Sequence, residues 1–195
     1  KNNEVYHKYA SLILKGKEPK KIKEIPCLPI SFFKSKKIIS NGKKADIIFK
    51  SSGTQGLRSH HHITDLNLYE SSFKKNFITN YGNIEKTCII GLLPSYEENR
   101  DSSLIYMVNS LIKISHNKNS GFYNNDFKKL KDILLKNENE QIKTIIIGVT
   151  YALLDFAKEY PINLKNTVII ETGGMKGKRK EIIKEEVHQI LCSAF

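Results

Sequence analysis

The sequence predicts an α/β fold, with a mostly parallel sheet that helices cover on both faces. Three runs of consecutive apolar residues have strand length, and they lie at 87–93, 144–149 and 167–170. Such unbroken runs are typical of strands buried on both faces, which occur almost only in parallel sheets. Segments with apolar residues at helical spacing separate the runs, which indicates repeated strand–helix–strand units. The 195 residues suit one domain or most of one.

The N-terminal segment, residues 1–44, is expected to be a helical and extended region outside this core. Apolar residues recur at helical spacing near its start and predict a short amphipathic helix, which a lysine-rich connector follows. Residues 26–30 contain two prolines and are predicted to be extended, because a residue that precedes proline is disfavoured in the helical region. One turn of helix is expected at 31–34, and Asn-Gly at 41–42 predicts a turn.

Residues 45–195 are expected to form the α/β core. A first strand is predicted at 45–50, followed by a loop of glycine and hydroxyl side chains at 51–56 and a short extended piece. Thr64-Asp65 then supplies an N-cap for a helix whose apolar residues recur at helical spacing. Later helices are predicted at 101–115, 126–136, 151–159 and 181–192.

The formal net charge is +12, from 32 basic and 20 acidic residues. Only three of the basic residues are arginines, and the lysines are spread through nearly every segment. Because proteins that read bases rely on the planar fork of arginine, we interpret most of this charge as a solvated surface that attracts anionic ligands. Nucleic acid is therefore the second choice of partner. We expect neither a membrane span of ~20 apolar residues nor a secretory signal.

The cysteines and histidines point to no metal centre. Cys27, Cys88 and Cys192 are odd in number, widely spaced and in apolar surroundings, which is typical of reduced, buried thiols in a cytoplasmic protein. The three histidines at 60–62 are adjacent, and adjacent side chains point in different directions, so they are not expected to share a metal ion.

Two loops that follow predicted strands are candidate ligand sites, since ligands bind beyond the carboxyl ends of the strands in such sheets. In the loop at 51–56, small residues allow backbone N–H groups to approach phosphate oxygens, and three hydroxyls add donors. In the loop at 171–180, two glycines and a basic run follow a buried strand. Each loop alone is also compatible with an ordinary surface turn. Together they suggest a nucleotide.

These residues resemble the acyl-adenylate-forming superfamily, and within it the LuxE-type acyl-protein synthetases. Ser51-Ser52-Gly53-Thr54-Gln55-Gly56 is similar to the superfamily's phosphate-binding signature, usually Ser/Thr-Ser-Gly-Thr-Thr-Gly. The most specific match to the LuxE-type branch is Glu-Thr-Gly-Gly-Met-Lys-Gly-Lys-Arg-Lys-Glu at 171–181. Further matches to that branch lie at 25–34, at 92–96 with 100–107, and at 148–155.

The resemblance implies ATP-dependent activation of a carboxylic acid, a fatty acid above all, to an acyl-adenylate, with Mg²⁺ as the counter-ion. The acyl group would then pass to a thiol on a protein or carrier. The implied triphosphate loop is Ser51, Ser52, Gly53, Thr54, Gln55 and Gly56. The implied adenine and ribose contacts are Gly173, Gly174 and Met175, with Lys176 and Arg179 beside phosphate or ribose. The candidate substrate contacts are His61, Ser95 and Tyr96.

Four departures from the family pattern qualify this expectation. Gln55 replaces the second threonine of the usual loop, and the lysine that often closes that loop has no match, although Arg58 or His60 could substitute. The glutamate motif that helps hold Mg²⁺ and the C-terminal domain with its catalytic lysine also have no match. We therefore expect the chain to be the N-terminal part of such an enzyme's large domain, with weak or no adenylation alone. The alternatives are a non-catalytic nucleotide- or acyl-binding module and a basic nucleic-acid-binding domain.

Overall fold

The computed structural model describes residues 2–51, 57–94, 99–173 and 182–195. The strands are β1 (Ile47–Lys50), β2 (His60–Ile63), β3 (Cys88–Leu92), β4 (Gly121–Phe122), β5 (Thr144–Gly148) and β6 (Thr167–Glu171). The α-helices are α1 (Glu4–Leu14), α2 (Phe32–Ser35), α3 (Leu66–Tyr81), α4 (Ser103–Ile114), α5 (Phe127–Asn139), α6 (Thr150–Glu159) and α7 (Lys184–Ala194). A short 3-10 helix spans Ile22–Glu24.

Four of these strands form a parallel sheet in the order β4-β3-β5-β6, so the α/β class is confirmed. The three apolar runs of the sequence are β3, β5 and β6, and the helices predicted between them are α4, α5 and α6. No described helix is long and apolar enough to cross a membrane.

The strands β1 and β2 form a separate antiparallel pair, in which Lys50 lies opposite His60. The sequence predicts β1 but only an extended piece where β2 lies. Residues 51–59 connect the two strands, and a connection this short has no room for the crossover that a parallel pair requires. The β1–β2 pair is therefore a hairpin rather than part of the parallel sheet.

The chain divides into two compact units. Lys1–Ser72 with Asp101–Ser103 form the first, which we call the hairpin unit, and Phe73–Arg100 with Leu104–Phe195 form the second, the sheet unit. The sequence predicts β1 in one core with the later strands, in residues 45–195, whereas the structure groups β1 and β2 with the N-terminal segment. The reason is that β1 pairs with β2 and with none of the strands of the described parallel sheet.

The hairpin unit is held together by small polar and aromatic contacts. Asn3 caps α1 by accepting a hydrogen bond from the Tyr6 backbone, and the Tyr6 hydroxyl donates to the Pro26 carbonyl at 2.9 Å. In the hairpin, Phe49 is buried and its ring lies 5.2 Å from that of Tyr69 on α3. The extended, proline-containing segment expected at 26–30 thus serves as the surface on which α1 lies.

The core of the sheet unit is centred on β3 and β5, whose residues are all buried. The edge strand β6 is less buried, and its Val168 side chain is 40% exposed. Burial of the two central strands on both faces explains why their sequences are continuous apolar runs rather than alternating ones.

Helices cover both faces of this sheet, as the sequence predicts. A Cβ atom added to Gly91 would lie 3.3 Å from Val108 of α4, so α4 packs on that face. Gly148 pairs with Leu92, and Leu92 points to the opposite face from its chain neighbour Gly91. A Cβ atom added to Gly148 would lie 2.8 Å from Leu153 of α6, so α6 packs on that opposite face. The ring of Phe127 on α5 lies 5.5 Å from that of Phe156 on α6, which places α5 with α6.

Candidate functional site

Three strands of the sheet unit end side by side at one edge. Leu92 pairs with Gly148, and Gly148 pairs with Glu171, so the carboxyl ends of β3, β5 and β6 lie in register. The next strand after β3, β4, lies on one side of β3 in the sheet, and the strand after that, β5, lies on the other side. The strand order therefore reverses at β3 and β5, and ligands of open α/β sheets bind at the carboxyl edge of such a reversal.

The Glu171 carboxylate is the central polar group at this edge. Its Oε1 atom accepts a hydrogen bond from the Thr150 hydroxyl at the start of α6. The same oxygen accepts a second hydrogen bond, at 2.7 Å, from the Gly173 backbone N–H. The side chain is thereby fixed between the first residue of a helix and the loop that follows its own strand.

The loop after β6 is also bonded to the end of β5. The backbone N–H and the hydroxyl of Thr172 both donate to the Gly148 carbonyl at 3.0 Å, and the Thr150 N–H donates to the Gly173 carbonyl at 3.4 Å. Gly173 has φ of +79°, a left-handed conformation that side chains other than glycine's rarely adopt. The described part of this loop therefore has a defined shape.

The charge at this edge favours a ligand that carries hydrogen-bond donors. The N-terminus of an α-helix bears partial positive charge, and α6 begins at Thr150. Since the Glu171 carboxylate already lies there, a phosphate at the same place would meet a like charge. Hydroxyl and amino groups would instead donate to the carboxylate, as ribose hydroxyls do to the acidic residue of dinucleotide-binding sheets.

The hairpin unit carries the base of the loop at 51–56. The Ser51 N–H donates to the Ser59 carbonyl at 3.1 Å, and the Ser59 N–H donates to the Ser51 hydroxyl at 3.0 Å. The Arg58 Nε donates to the Ser51 carbonyl at 2.6 Å. These bonds extend the β1–β2 ladder by one step and fix the points at which the loop leaves and rejoins the hairpin.

Cationic side chains surround this loop base. Lys50 Nζ lies 2.8 Å from the Asp101 carboxylate, while Arg58 and His60 are close enough to act on the same carboxylate. The hydrogen bond from Lys50, with the positive charges of Lys50, Arg58 and His60, lowers the pKa of Asp101 against the opposing effect of its desolvation. Lys50 thus pairs with Asp101 beside the loop, and the charges of Arg58 and His60 act on the same carboxylate, which suits an anionic ligand.

Most of the site residues implied by the family resemblance lie outside the described residues. They are Ser52, Gly53, Thr54, Gln55, Gly56, Ser95, Tyr96, Gly174, Met175, Lys176 and Arg179. The described members are Ser51 at the loop base, Gly173 at the carboxyl edge of the sheet, and His61.

His61 lies on β2, where its side chain is exposed and meets the Phe33 ring edge-on at 5.9 Å. The neighbouring His62 is half-buried, and its Nδ1 atom has no hydrogen-bond partner among the described residues. Burial, with the nearby positive charge of Lys37, lowers the pKa of His62 and favours the neutral ring.

Sequence reasoning missed the roles of Thr150 and Glu171. Each lies within two residues of the carboxyl end of a strand that the sequence predicts, which was the available signal. The hydrogen bond between Thr150 and Glu171 depends on β5 and β6 being neighbours in the sheet, however, and neither residue spacing nor composition predicts the strand order.

Mg²⁺, which the resemblance implies, finds no cluster of protein ligands among the described residues, since no three His, Cys, Asp or Glu side chains there converge on one point. The carboxylates of Asp101 and Glu171 are already engaged by Lys50 and by Thr150 with Gly173. The described residues therefore do not fit a protein-held magnesium ion.

Comparisons of the chain with protein-family models, with curated proteins and with solved structures found no match. The similarity to LuxE-type enzymes thus rests on the motifs quoted above.

Proposed function

We propose that this chain binds ATP and activates a carboxylic acid as an acyl-adenylate. The observation that carries the proposal is the Glu171 carboxylate, which Thr150 and Gly173 hold at the carboxyl edge of the sheet. It is an acceptor for the donor-bearing part of a nucleotide, at the place where open α/β sheets bind nucleotides. The same residues begin the segment 171–181 that most resembles the LuxE-type enzymes.

The charge of each group of residues indicates which part of a nucleotide it suits. The carboxylate at the sheet edge suits ribose hydroxyls or the adenine amino group, whereas Lys50, Arg58 and His60 beside the loop base of the hairpin unit suit phosphate oxygens. Within the sheet unit we assign Glu171 and Gly173 to the adenosine part of a nucleotide. Within the hairpin unit the loop that begins at Ser51 is the candidate phosphate-binding segment. The assignment agrees with the resemblance of the loop at 51–56 to a phosphate-binding signature.

The proposed reaction needs these donors at the moment when charge moves. A carboxylate oxygen of the acid attacks the α-phosphorus of ATP, and the bond from that phosphorus to the oxygen of pyrophosphate breaks. Negative charge builds up on the leaving pyrophosphate, where positioned cations and N–H donors stabilise it most. The acyl group is then transferred from AMP to the thiol of a protein or carrier.

The same proposal places the chain in the N-terminal part of the large domain of an acyl-protein synthetase in the cytoplasm. The three cysteines are free thiols, which supports a reducing compartment.

Two ligands and two variants test the nucleotide assignment. We expect calorimetry to detect binding of ATP, with Mg²⁺ present, and weaker binding of adenosine. Glu171→Gln should weaken both ligands about tenfold, because it removes the charge from a hydrogen bond worth about 1.5–3 kcal/mol. Gly53→Val should weaken ATP and leave adenosine unchanged. Glu159→Gln, a change of an exposed glutamate on α6, serves as the control.

Turnover is tested by acid-dependent exchange of radioactive pyrophosphate into ATP. We expect at most weak exchange with a fatty acid from these 195 residues, and robust exchange would contradict their assignment to the N-terminal part of such an enzyme. ATP binding with no exchange at all would favour the non-catalytic binding module. Absence of binding by both ATP and adenosine would contradict the proposal.

A further inference from the structure

A groove of about 380 Å³ lies between β6 and α7 in the sheet unit. Its volume falls in the range of roughly 300–1,000 Å³ that is typical of small-molecule sites. Ile169, Val187 and Leu191 give it an apolar wall, and Lys184 and Glu171 bring one positive and one negative side chain to its lining. The groove can therefore accept a small molecule that has both charged ends and an apolar body.

A thiol and an imidazole line the same groove on successive turns of α7. The Cys192 sulfur lies 3.6 Å from Nε2 and 3.8 Å from Nδ1 of His188, four residues earlier. The thiol and the imidazole are therefore in contact, and a change of side-chain rotamer directs one ring nitrogen at the sulfur. Both side chains are exposed, so a ligand in the groove can reach them.

The other two cysteines lie in different surroundings. Cys27 is exposed on the hairpin unit, and Cys88 is buried in the core of the sheet unit, so the expectation of buried thiols is confirmed for Cys88 and is wrong for Cys27 and Cys192. Burial raises the pKa of the Cys88 thiol and opposes formation of its thiolate. The chain thus contains an exposed thiol paired with histidine, a second exposed thiol as a reference, and a buried thiol.

We propose that Cys192 and His188 form a thiol–disulfide exchange site, specific for low-mass disulfides that carry carboxylates. Lys184 supplies a counter-charge for such a carboxylate within the groove, and the net charge of +12 attracts anions to the whole surface. The proposal does not depend on nucleotide binding or on acid activation.

The exchange step balances without a further reactant. The Cys192 thiol transfers its proton to the His188 ring, and the sulfur attacks one sulfur atom of the disulfide. The S–S bond of the disulfide breaks, and a mixed disulfide with Cys192 forms. The departing thiolate takes the proton from the imidazolium. One half of the small disulfide is thereby released as a thiol, and the other half stays bound to Cys192, which is oxidised to the mixed disulfide.

The experiment measures exchange at each cysteine separately. The 195-residue chain is incubated with oxidised glutathione, quenched with acid, and digested, and mass spectrometry gives a rate for each thiol. We expect Cys192 to react about tenfold faster than Cys27 at pH 7, and Cys88 to be the slowest. In 8 M urea, where the pairing with histidine is lost, the rates of Cys192 and Cys27 should become similar.

Variants identify the groups responsible. His188→Gln should bring the Cys192 rate close to that of Cys27, while His116→Gln, a change of an exposed histidine elsewhere in the sheet unit, should leave it unchanged. Lys184→Gln should slow the reaction with oxidised glutathione but not with the uncharged 2-hydroxyethyl disulfide. Circular dichroism checks that each variant is folded.

Equal rates for Cys192 and Cys27 in the folded parent chain would overturn the proposal. So would a Cys192 rate that His188→Gln leaves unchanged, because the thiol would then react through exposure alone. A Lys184→Gln effect of equal size with both disulfides would refute the specificity for carboxylates.

Discussion

The Thr150 hydroxyl donates a hydrogen bond to Oε1 of Glu171, and this bond joins the first residue of α6 to the last residue of β6. Thr150 is buried, at 5% exposure, whereas Glu171 is half-buried. The pair therefore holds a carboxylate at a fixed position on the carboxyl edge of the sheet, where it can accept hydrogen bonds from a ligand.

Removal of the Thr150 hydroxyl should weaken nucleotide binding without unfolding the chain. Thr150→Val keeps the shape of the side chain but releases one of the two bonds on Glu171 Oε1. A net hydrogen bond is worth about 0.5–1.5 kcal/mol, so we expect adenosine to bind roughly threefold to tenfold more weakly by calorimetry. Thr150→Ser keeps the hydroxyl and should retain most of the affinity. Equal losses in both variants would show that the hydroxyl does not position Glu171.

The Glu138 carboxylate should make the stability of the chain depend on pH. It accepts hydrogen bonds from the backbone of Lys165 and Asn166, both at 3.0 Å, and from the Thr167 hydroxyl at 2.9 Å. Burial raises the pKa of Glu138, but these hydrogen bonds outweigh it and the net shift is downward from 4.5. The stabilisation is therefore complete above the unfolded-state pKa and is lost as the pH falls through the lower, folded-state value.

Urea unfolding of Glu138→Gln measures this contribution. We expect a loss of about 1–3 kcal/mol at pH 7, since the variant weakens several bonds to a charged acceptor, and a smaller loss near pH 3. The control is Glu140→Gln, whose partner Lys136 lies 3.8 Å away in an exposed pair, and its effect should stay within about 0.5 kcal/mol. A loss for Glu138→Gln that is the same at both pH values would contradict the assignment.

Gly148 should tolerate no side chain. A Cβ atom there would lie 2.8 Å from Cγ of Leu153 and 3.1 Å from Cβ of Leu92, and both leucines are fully buried. Overpacking of a core typically costs about 1–3 kcal/mol, which is the loss we expect for Gly148→Ala in urea unfolding. At Gly121 the nearest atom, on Tyr123, would be 3.4 Å away, so Gly121→Ala should be close to neutral. Similar losses for the two variants would contradict this account.

The charge balance at the loop base should control binding of polyphosphate. Asp101→Asn removes a carboxylate beside Lys50, Arg58 and His60, and we expect inorganic triphosphate to bind roughly threefold more tightly at low salt. Arg58→Gln should act in the opposite direction. The control Asp132→Asn alters an exposed carboxylate on α5 in the sheet unit and should have little effect. The effects of Asp101→Asn and Arg58→Gln on triphosphate affinity should both become smaller as salt is added. Effects that do not depend on salt would rule out an electrostatic origin.

The sequence predicted secondary structure correctly where the local pattern of apolar residues matches their burial in the fold. The continuous apolar runs around Ile89 and Ile146 predicted strands buried on both faces, and both residues are fully buried in β3 and β5. Continuous apolar sequence leaves no polar face for water, so the class of sheet followed directly. Helices between these strands were predictable for the same reason, because their apolar residues recur at helical spacing.

The sequence was less informative about the hairpin and the candidate site. Alternation of strands and helices suggested that β1 belonged with the later strands, although the short connection through residues 51–59 leads to antiparallel pairing with β2. The role of Glu171 was hidden for a different reason. Its partner Thr150 is distant in sequence, and only the neighbouring positions of β5 and β6 bring the two together.

The sequence by itself determined the α/β class and the order of the α-helices with β1, β3, β5 and β6, because these depend on local periodicity. It predicted neither the two-residue strand β4 nor the pairing of β2, and the loops that it indicates for a ligand stay predictions. The tertiary structure alone decided the strand order β4-β3-β5-β6, the contact between Thr150 and Glu171, and the groove that Cys192 shares with His188 and Lys184. The physical reason is that the free energy of packing depends on the whole set of buried contacts, and many strand orders share one local pattern.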